Sequence, residues 1–210
     1  MPLPSFPYSN GVLTLFWLGA IGAAFWSFET YKTTPGERRE APLQWPAGSE
    51  IRRDSSRPIL LLFAHPYCPC TRASLGELVE ILGRCQGRVT AQVLFVKPTA
   101  VSPSWVQSDM WHTASRIPGV RTSWDGEAKE AARFGVRTSG HVVLYAADGN
   151  LLFSGGITGR RGHEGENPGR SARVDLLLAR PTACQDYPVF GCALTAPSAG
   201  LTNEGGECRE

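Results

Sequence analysis

No sign of charge dominates this chain. Its 21 Lys and Arg stand against 19 Asp and Glu, a formal net charge of +2 over 210 residues. That balance supplies neither the basic field that nucleic acid requires nor a preference for an acidic partner. Cysteine is scarce as well. Six residues are too few for a disulfide-dense scaffold, and the paired C-x2-C units of a zinc finger are absent. The Gly-rich stretch at 155–170 lacks the preceding strand–helix unit and ribose-binding acid of a nucleotide fingerprint. No internal repeat is present.

Charge is missing altogether from Gly11 to Phe28, GVLTLFWLGAIGAAFWSF. As a helix, this run spans about 27 Å, enough for a bilayer core. Trp26 and Tyr31 near one end and Tyr8 before the other suit interfacial anchors. The rivals are a buried helix of the main domain and a cleaved signal peptide. The polar, Pro-rich stretch that follows argues against the first. The absence of Lys or Arg ahead of the run, and of a small-x-small cleavage site, argues against the second. A retained single-pass anchor is the expectation. Lys32, Arg38 and Arg39 follow the run, so the positive-inside rule taken alone puts the rest of the chain in the cytoplasm.

The sixteen prolines and 23 glycines gather at 1–7, 35–58, 155–169 and beyond 188, which sets the divisions. Residues 1–10 form an N-terminal tail, 11–28 the anchor, 29–57 a linker without apolar period, 58–182 a folded domain and 183–210 a cysteine-containing extension. Within the domain, Ile59 to Ala64 and Val89 to Val96 read as strands. Residues 71–84 read as a helix, as does Trp105 to Ser115 behind a Ser104 cap. Gly119 to Trp124 is a short strand and Gly126 to Phe134 a short helix stopped by Gly135. His141 to Ala146 and Leu151 to Phe153 flank Asp148-Gly149-Asn150 as a hairpin. Asn167-Pro168 starts a last helix. The order βαβαβαββα predicts an open α/β sheet, whose sites lie beyond the carboxyl ends of its strands.

Cys68-Pro69-Cys70-Thr71 stands there, between the first strand and its helix. A helix N-terminus favours thiolate over thiol, so Cys68 or Cys70 is expected to be an acidic nucleophile. Residues two apart can share a disulfide. The small ring, stiffened by Pro69, would be strained and therefore oxidising. The alternative is a structural pair of buried thiols, or soft-metal binding, since Cys-x-Cys with a nearby imidazole such as His65 suits Cu(I). The loop 155–170 carries Arg160, Arg161, His163, Glu164 and Arg170; it could hold an anion, steady a thiolate, or be a solvated loop. Cys184 and Cys192 enclose a turn-rich stretch and are candidates for a structural disulfide, or for a second redox pair exchanging with Cys68. Cys85 continues an apolar helix face, His112 is expected at the surface, and Cys208 receives no role.

The chain resembles the thioredoxin-like superfamily. FAHPYCPCTR, Phe63 to Arg72, lies over that family's F-x-A-x-W-C-x-x-C-R signature, with Tyr67 at the Trp position and Arg72 at the basic one. Asp125 to Phe153, running through FGVRTSGHVVLYAADGNLLF, is similar to the helix, strand and hairpin of the membrane-anchored TlpA/ResA branch, and the CPCT variant to the group called RedB. The resemblance covers roughly residues 58–180. It implies a thioredoxin-like fold, a central mixed sheet flanked by helices, preceded here by one transmembrane helix. It also implies a thiol-disulfide oxidoreductase acting on protein disulfides or thiols together with a redox partner, without an organic cofactor. Cys68 takes the attacking position, Cys70 would resolve, and Thr71, at the resolving-cysteine position, could give its hydroxyl to the thiolate. Tyr67 and Arg72 would shape the entrance, with Ser139, Gly140 and His141 facing substrate.

Ser139-Gly140-His141 replaces the family's cis-proline segment, which shapes the substrate groove and keeps metals off the thiols. A copper-binding or copper-delivery protein using Cys68, Cys70, His65 and His141 is therefore the alternative. A thiol peroxidase ranks lower, because His65 stands where that chemistry needs Thr or Ser. A scaffold that has lost catalysis is a third possibility. Anchored relatives face the periplasm, and the resemblance is preferred to the Lys/Arg count: the expected location is the inner membrane with a periplasmic domain.

Overall fold

The structure, a computed structural model, describes residues 7–85, 87–178 and 186–195. The chain divides into two compact units, residues 1–34 and 35–210. The first is one helix, α1 (Pro7–Thr33). Its stretch Gly11–Thr33, of mean hydropathy 1.6, is long and apolar enough to cross a membrane. Val12, Phe16, Trp17, Phe25 and Trp26 are all exposed along it.

The second unit alternates as its apolar pattern predicts: β1 (Ile59–Ala64), α2 (Pro69–Arg84), β2 (Thr90–Lys97), α3 (Pro103–Val106), α4 (Asp109–Ser115), β3 (Val120–Gly126), α5 (Lys129–Arg133), β4 (His141–Tyr145), β5 (Leu151–Gly155), α6 (Pro168–Leu177) and β6 (Asp186–Tyr187). Among the described residues the strands form one sheet in the order β3-β2-β1-β4-β5-β6. β1 runs parallel to β2 and antiparallel to β4; β2 runs parallel to β3, and β4 antiparallel to β5. This mixed sheet, with helices on both faces, is the thioredoxin-like α/β fold.

β1 is central and buried on both faces, which is why it reads as an unbroken apolar run rather than an alternating one. Leu60, Leu62 and Ala64 enter one core with Leu75, Leu78 and Ile81 of α2 and Val174 and Leu177 of α6. Ile59, Leu61 and Phe63 enter the other with Ala131, Phe134 and Tyr145. Each such leucine contributes about 1.5–3 kcal/mol by leaving water. Cys85 is packed in the first core, as its helical spacing predicts, and His112 is at the surface.

Three expectations need correction. The helix expected over 105–115 is two helices, because Ser108 caps a second start by accepting the Trp111 N–H. The helix expected from Gly126 begins only at Lys129. Ala128 adopts a left-handed φ of 52°, and the Asp125 carboxylate accepts the N–H groups of Glu130 and Ala131 instead. Much of the stretch read as a linker is a strap on the domain. Trp45 packs edge-on against Phe134 and Tyr145, at 5.0 and 5.3 Å between centroids. The Tyr145 hydroxyl donates to the Pro42 carbonyl at 2.8 Å, and the Leu151 N–H to that of Leu43 at 2.8 Å. Gly135 permits the close approach: a Cβ there would stand 2.3 Å from the Glu40 carbonyl.

Candidate functional site

β1 ends at Ala64, and a tight turn carries the chain into α2, the Cys68 N–H donating to the His65 carbonyl at 3.1 Å. Cys68 is the N-cap of α2 in extended conformation, Pro69 occupies the first turn, and Cys70 follows. The two cysteines so placed are buried, at 1% and 6% exposure. Cys68 therefore sits where unpaired N–H groups and the helix dipole favour an anion.

A third cysteine completes the site. The sulfurs of Cys68 and Cys192 are 2.8 Å apart, and the Cys192 N–H points at the Cys68 sulfur at 3.4 Å. The Cys70 thiol, then the thiol and N–H of Cys192, hold Cys68 well below the ordinary thiol range, although burial opposes them. Donation to Cys68, reinforced by burial, pushes the Cys70 thiol far up, while the Gly162 N–H works against it. Burial and the Cys68 contact push Cys192 up to about 11, with Arg161 pulling back. These shifts favour the charge on Cys68 and the protons on Cys70 and Cys192.

Cys192 reaches the site because residues 189–194 are laced to the segment before β4. The Ser139 N–H donates to the Cys192 carbonyl at 2.8 Å and the Leu194 N–H to that of Arg137 at 2.9 Å, with an antiparallel bridge between Thr138 and Ala193. Arg161 donates to the Gly191 carbonyl. Sequence reasoning foresaw exchange between Cys192 and Cys68 only through a Cys184–Cys192 pair. Cys184 and Cys208 lie outside the described residues. Gly191 was the available signal: a Cβ there would stand 1.9 Å from the Ser139 carbonyl, so only glycine fits beside this cysteine.

Other predicted residues fall differently. Thr71 is buried, and its hydroxyl meets the His65 carbonyl at 3.1 Å and the Ser139 hydroxyl at 2.9 Å. It braces the turn from behind, so donation to the thiolate is corrected. Ser139 also accepts the His65 N–H at 2.9 Å. Ser139, Gly140 and His141 are buried, covered rather than facing solvent. The His141 ring meets the Ser154 hydroxyl at 2.8 Å. Burial, then Arg38 and Arg173, pushes its pKa down to about 3, keeping it neutral. Tyr67 is 54% exposed and meets Trp105 at a tilt, 5.0 Å between ring centroids, and the Trp105 ring also meets His65. These three make an aromatic rim, and Arg72 is exposed near them in sequence. His65 Nδ1 accepts the Tyr67 N–H at 3.1 Å; burial lowers its pKa and the Cys68 charge raises it.

Of the Gly-rich loop, Arg161 and Gly162 reach the site. Arg170 is spent on a buried ion pair with Glu77 at 3.0 Å. Among the described residues no group of three or more His, Cys, Asp and Glu is arranged to hold a metal ion.

No family model matches the sequence, and no curated protein does. Solved structures do match. A hypothetical protein from Sinorhizobium meliloti shares 18% identity at a TM-score of 0.56, over 78% of this chain and 96% of that one. An uncharacterized conserved protein from Geobacillus kaustophilus shares 18% at 0.56, over 80% and 95%. A secreted disulfide oxidoreductase of Mycobacterium tuberculosis aligns at 17% and a TM-score of 0.44, over 67% and 95%. The first two share the fold of this chain.

Proposed function

We propose, with the thioredoxin-like fold as premise, that this chain is a membrane-anchored thiol-disulfide oxidoreductase acting on protein disulfides or thiols. The observation that carries the reading is the Cys68 sulfur, held at the N-terminus of α2 and accepting from neighbouring thiols and an N–H. The thiolate, not the thiol, is the nucleophile in disulfide exchange. In the reducing direction, the Cys68 thiolate attacks one sulfur of a substrate disulfide. The substrate S–S bond breaks as the new one forms, and the departing thiolate takes up a proton. A second thiol of the chain then displaces the other half of the substrate. The reverse sequence oxidises a dithiol. The rim of His65, Tyr67 and Trp105 offers a substrate polypeptide an apolar edge to lie against.

The helix α1 anchors the chain in the inner membrane, and the domain faces the periplasm, where a protein disulfide persists. A fusion of alkaline phosphatase or a fluorescent protein to the C-terminus reads this orientation directly.

The test of the activity is the pH dependence of Cys68 alkylation in the reduced, full-length protein in detergent, resolved by peptide mass spectrometry. A midpoint well below pH 7 is expected. A midpoint near that of free cysteine, about 8.5, overturns the reading.

A further inference from the structure

The reading above requires a second thiol, and two contend. Cys70 follows Cys68 by two residues at the same helix start, and its thiol donates to the Cys68 sulfur. Bonding them closes a small ring over Pro69 and disturbs a first turn in which the Thr71 N–H donates to the Cys68 carbonyl at 2.9 Å. Cys192 needs no such change. Its sulfur lies 2.8 Å from Cys68, and its backbone is held there by Ser139 on one side and Arg161, through Gly191, on the other. Val189, Phe190 and Leu194 around it are buried, so the segment is seated.

We infer that Cys192, rather than Cys70, is the cysteine that resolves the mixed disulfide at Cys68. The inference rests on the oxidoreductase reading and adds to it a long-range redox pair. After Cys68 has captured half of a substrate disulfide, the Cys192 thiol loses its proton to the leaving sulfur and attacks the Cys68 sulfur. The Cys68–substrate bond breaks, the substrate departs as a thiol, and a Cys68–Cys192 disulfide remains. Two electrons have passed from the protein to the substrate. Arg161 favours the Cys192 thiolate at the moment of attack. Cys70 stays reduced and serves as a donor to the Cys68 thiolate.

The test uses reduced full-length protein in detergent, with glutathione disulfide as probe, acid quenching and non-reducing peptide mapping. The unmutated chain should yield a Cys68–Cys192 linkage, and Cys70→Ser should yield it too. Cys192→Ser should stop at the Cys68–glutathione adduct and release glutathione at least about tenfold more slowly, the intramolecular advantage being lost. A Cys68–Cys70 or Cys184–Cys192 linkage in the unmutated chain overturns the inference while leaving the oxidoreductase reading intact. So does release from Cys192→Ser at the unmutated rate. Failure of the unmutated chain to form any Cys68 adduct or linkage overturns both.

Discussion

Glu77 of α2 and Arg170 of α6 are both buried and meet at 3.0 Å, while the second carboxylate oxygen of Glu77 accepts the Gly165 N–H at 2.6 Å. One carboxylate thus ties the helix that carries the cysteines to the loop that supplies Arg161 and Gly162. Breaking a buried pair from one side leaves an uncompensated charge. Glu77→Gln is expected to lower stability by about 3 kcal/mol in urea denaturation and to speed amide exchange at residues 162–165. Pairing it with Arg170→Met should recover part of the loss.

The pH profile of the reduced protein has a definite shape. Cys68 is depressed in the fold, so its contribution to stability is full above the unfolded thiol value, about 8.5, and fades as pH falls toward the folded value. Cys192 is raised to about 11, so its contribution is full below about 8.5 and is lost as pH climbs through 11. Reduced protein should be most stable near pH 8.5, by denaturation at a series of pH values, and Cys70→Ala should move the Cys68 alkylation midpoint upward.

Gly191→Ala puts a methyl group against the Ser139 carbonyl. Overpacking of this kind costs about 1–3 kcal/mol, and here the relief is displacement of residues 189–194. Cys68 alkylation at fixed pH should accelerate, because the cover is lifted, and the yield of Cys68–Cys192 disulfide should fall. Unchanged alkylation would show that the segment does not shield the thiolate.

Thr71→Val tests the bracing role. It removes a buried hydroxyl that joins the His65 carbonyl and Ser139. A loss of about 1–2 kcal/mol in stability is expected, with the midpoint of Cys68 alkylation unchanged. A shift of that midpoint would mean that the hydroxyl reaches the thiolate after all.

Trp45→Ala tests the strap. Trp45 meets Phe134 and Tyr145 edge-on, and its loss should cost about 3 kcal/mol in urea denaturation, whereas a true linker residue would cost almost nothing.

The parts that were legible in the sequence are those whose signal is local. β1 declares itself by an apolar run ended by His65-Pro66, and α6 by Asn167, whose side chain accepts the Arg170 N–H as a cap at 2.8 Å. The site's location followed from that strand and the cysteine beyond it. The strap was illegible because it has no period: it contributes single side chains, Trp45 and Ile51, and backbone groups to an edge already formed. Cys192 was half legible. Its chemistry was visible, but the separation of 124 in sequence from Cys68 is closed by backbone pairing to Arg137 and Ser139, which leaves no mark in composition.

Cys68 lies buried behind residues 189–194 of its own chain. On the proposed function, a disulfide small enough to slip past them would react in proportion to its concentration. A polypeptide disulfide would have to wait for those residues to lift, so its rate would level off at the frequency of that opening. The segment would then sort oxidants by size and set a speed limit that belongs to the protein rather than to its partner.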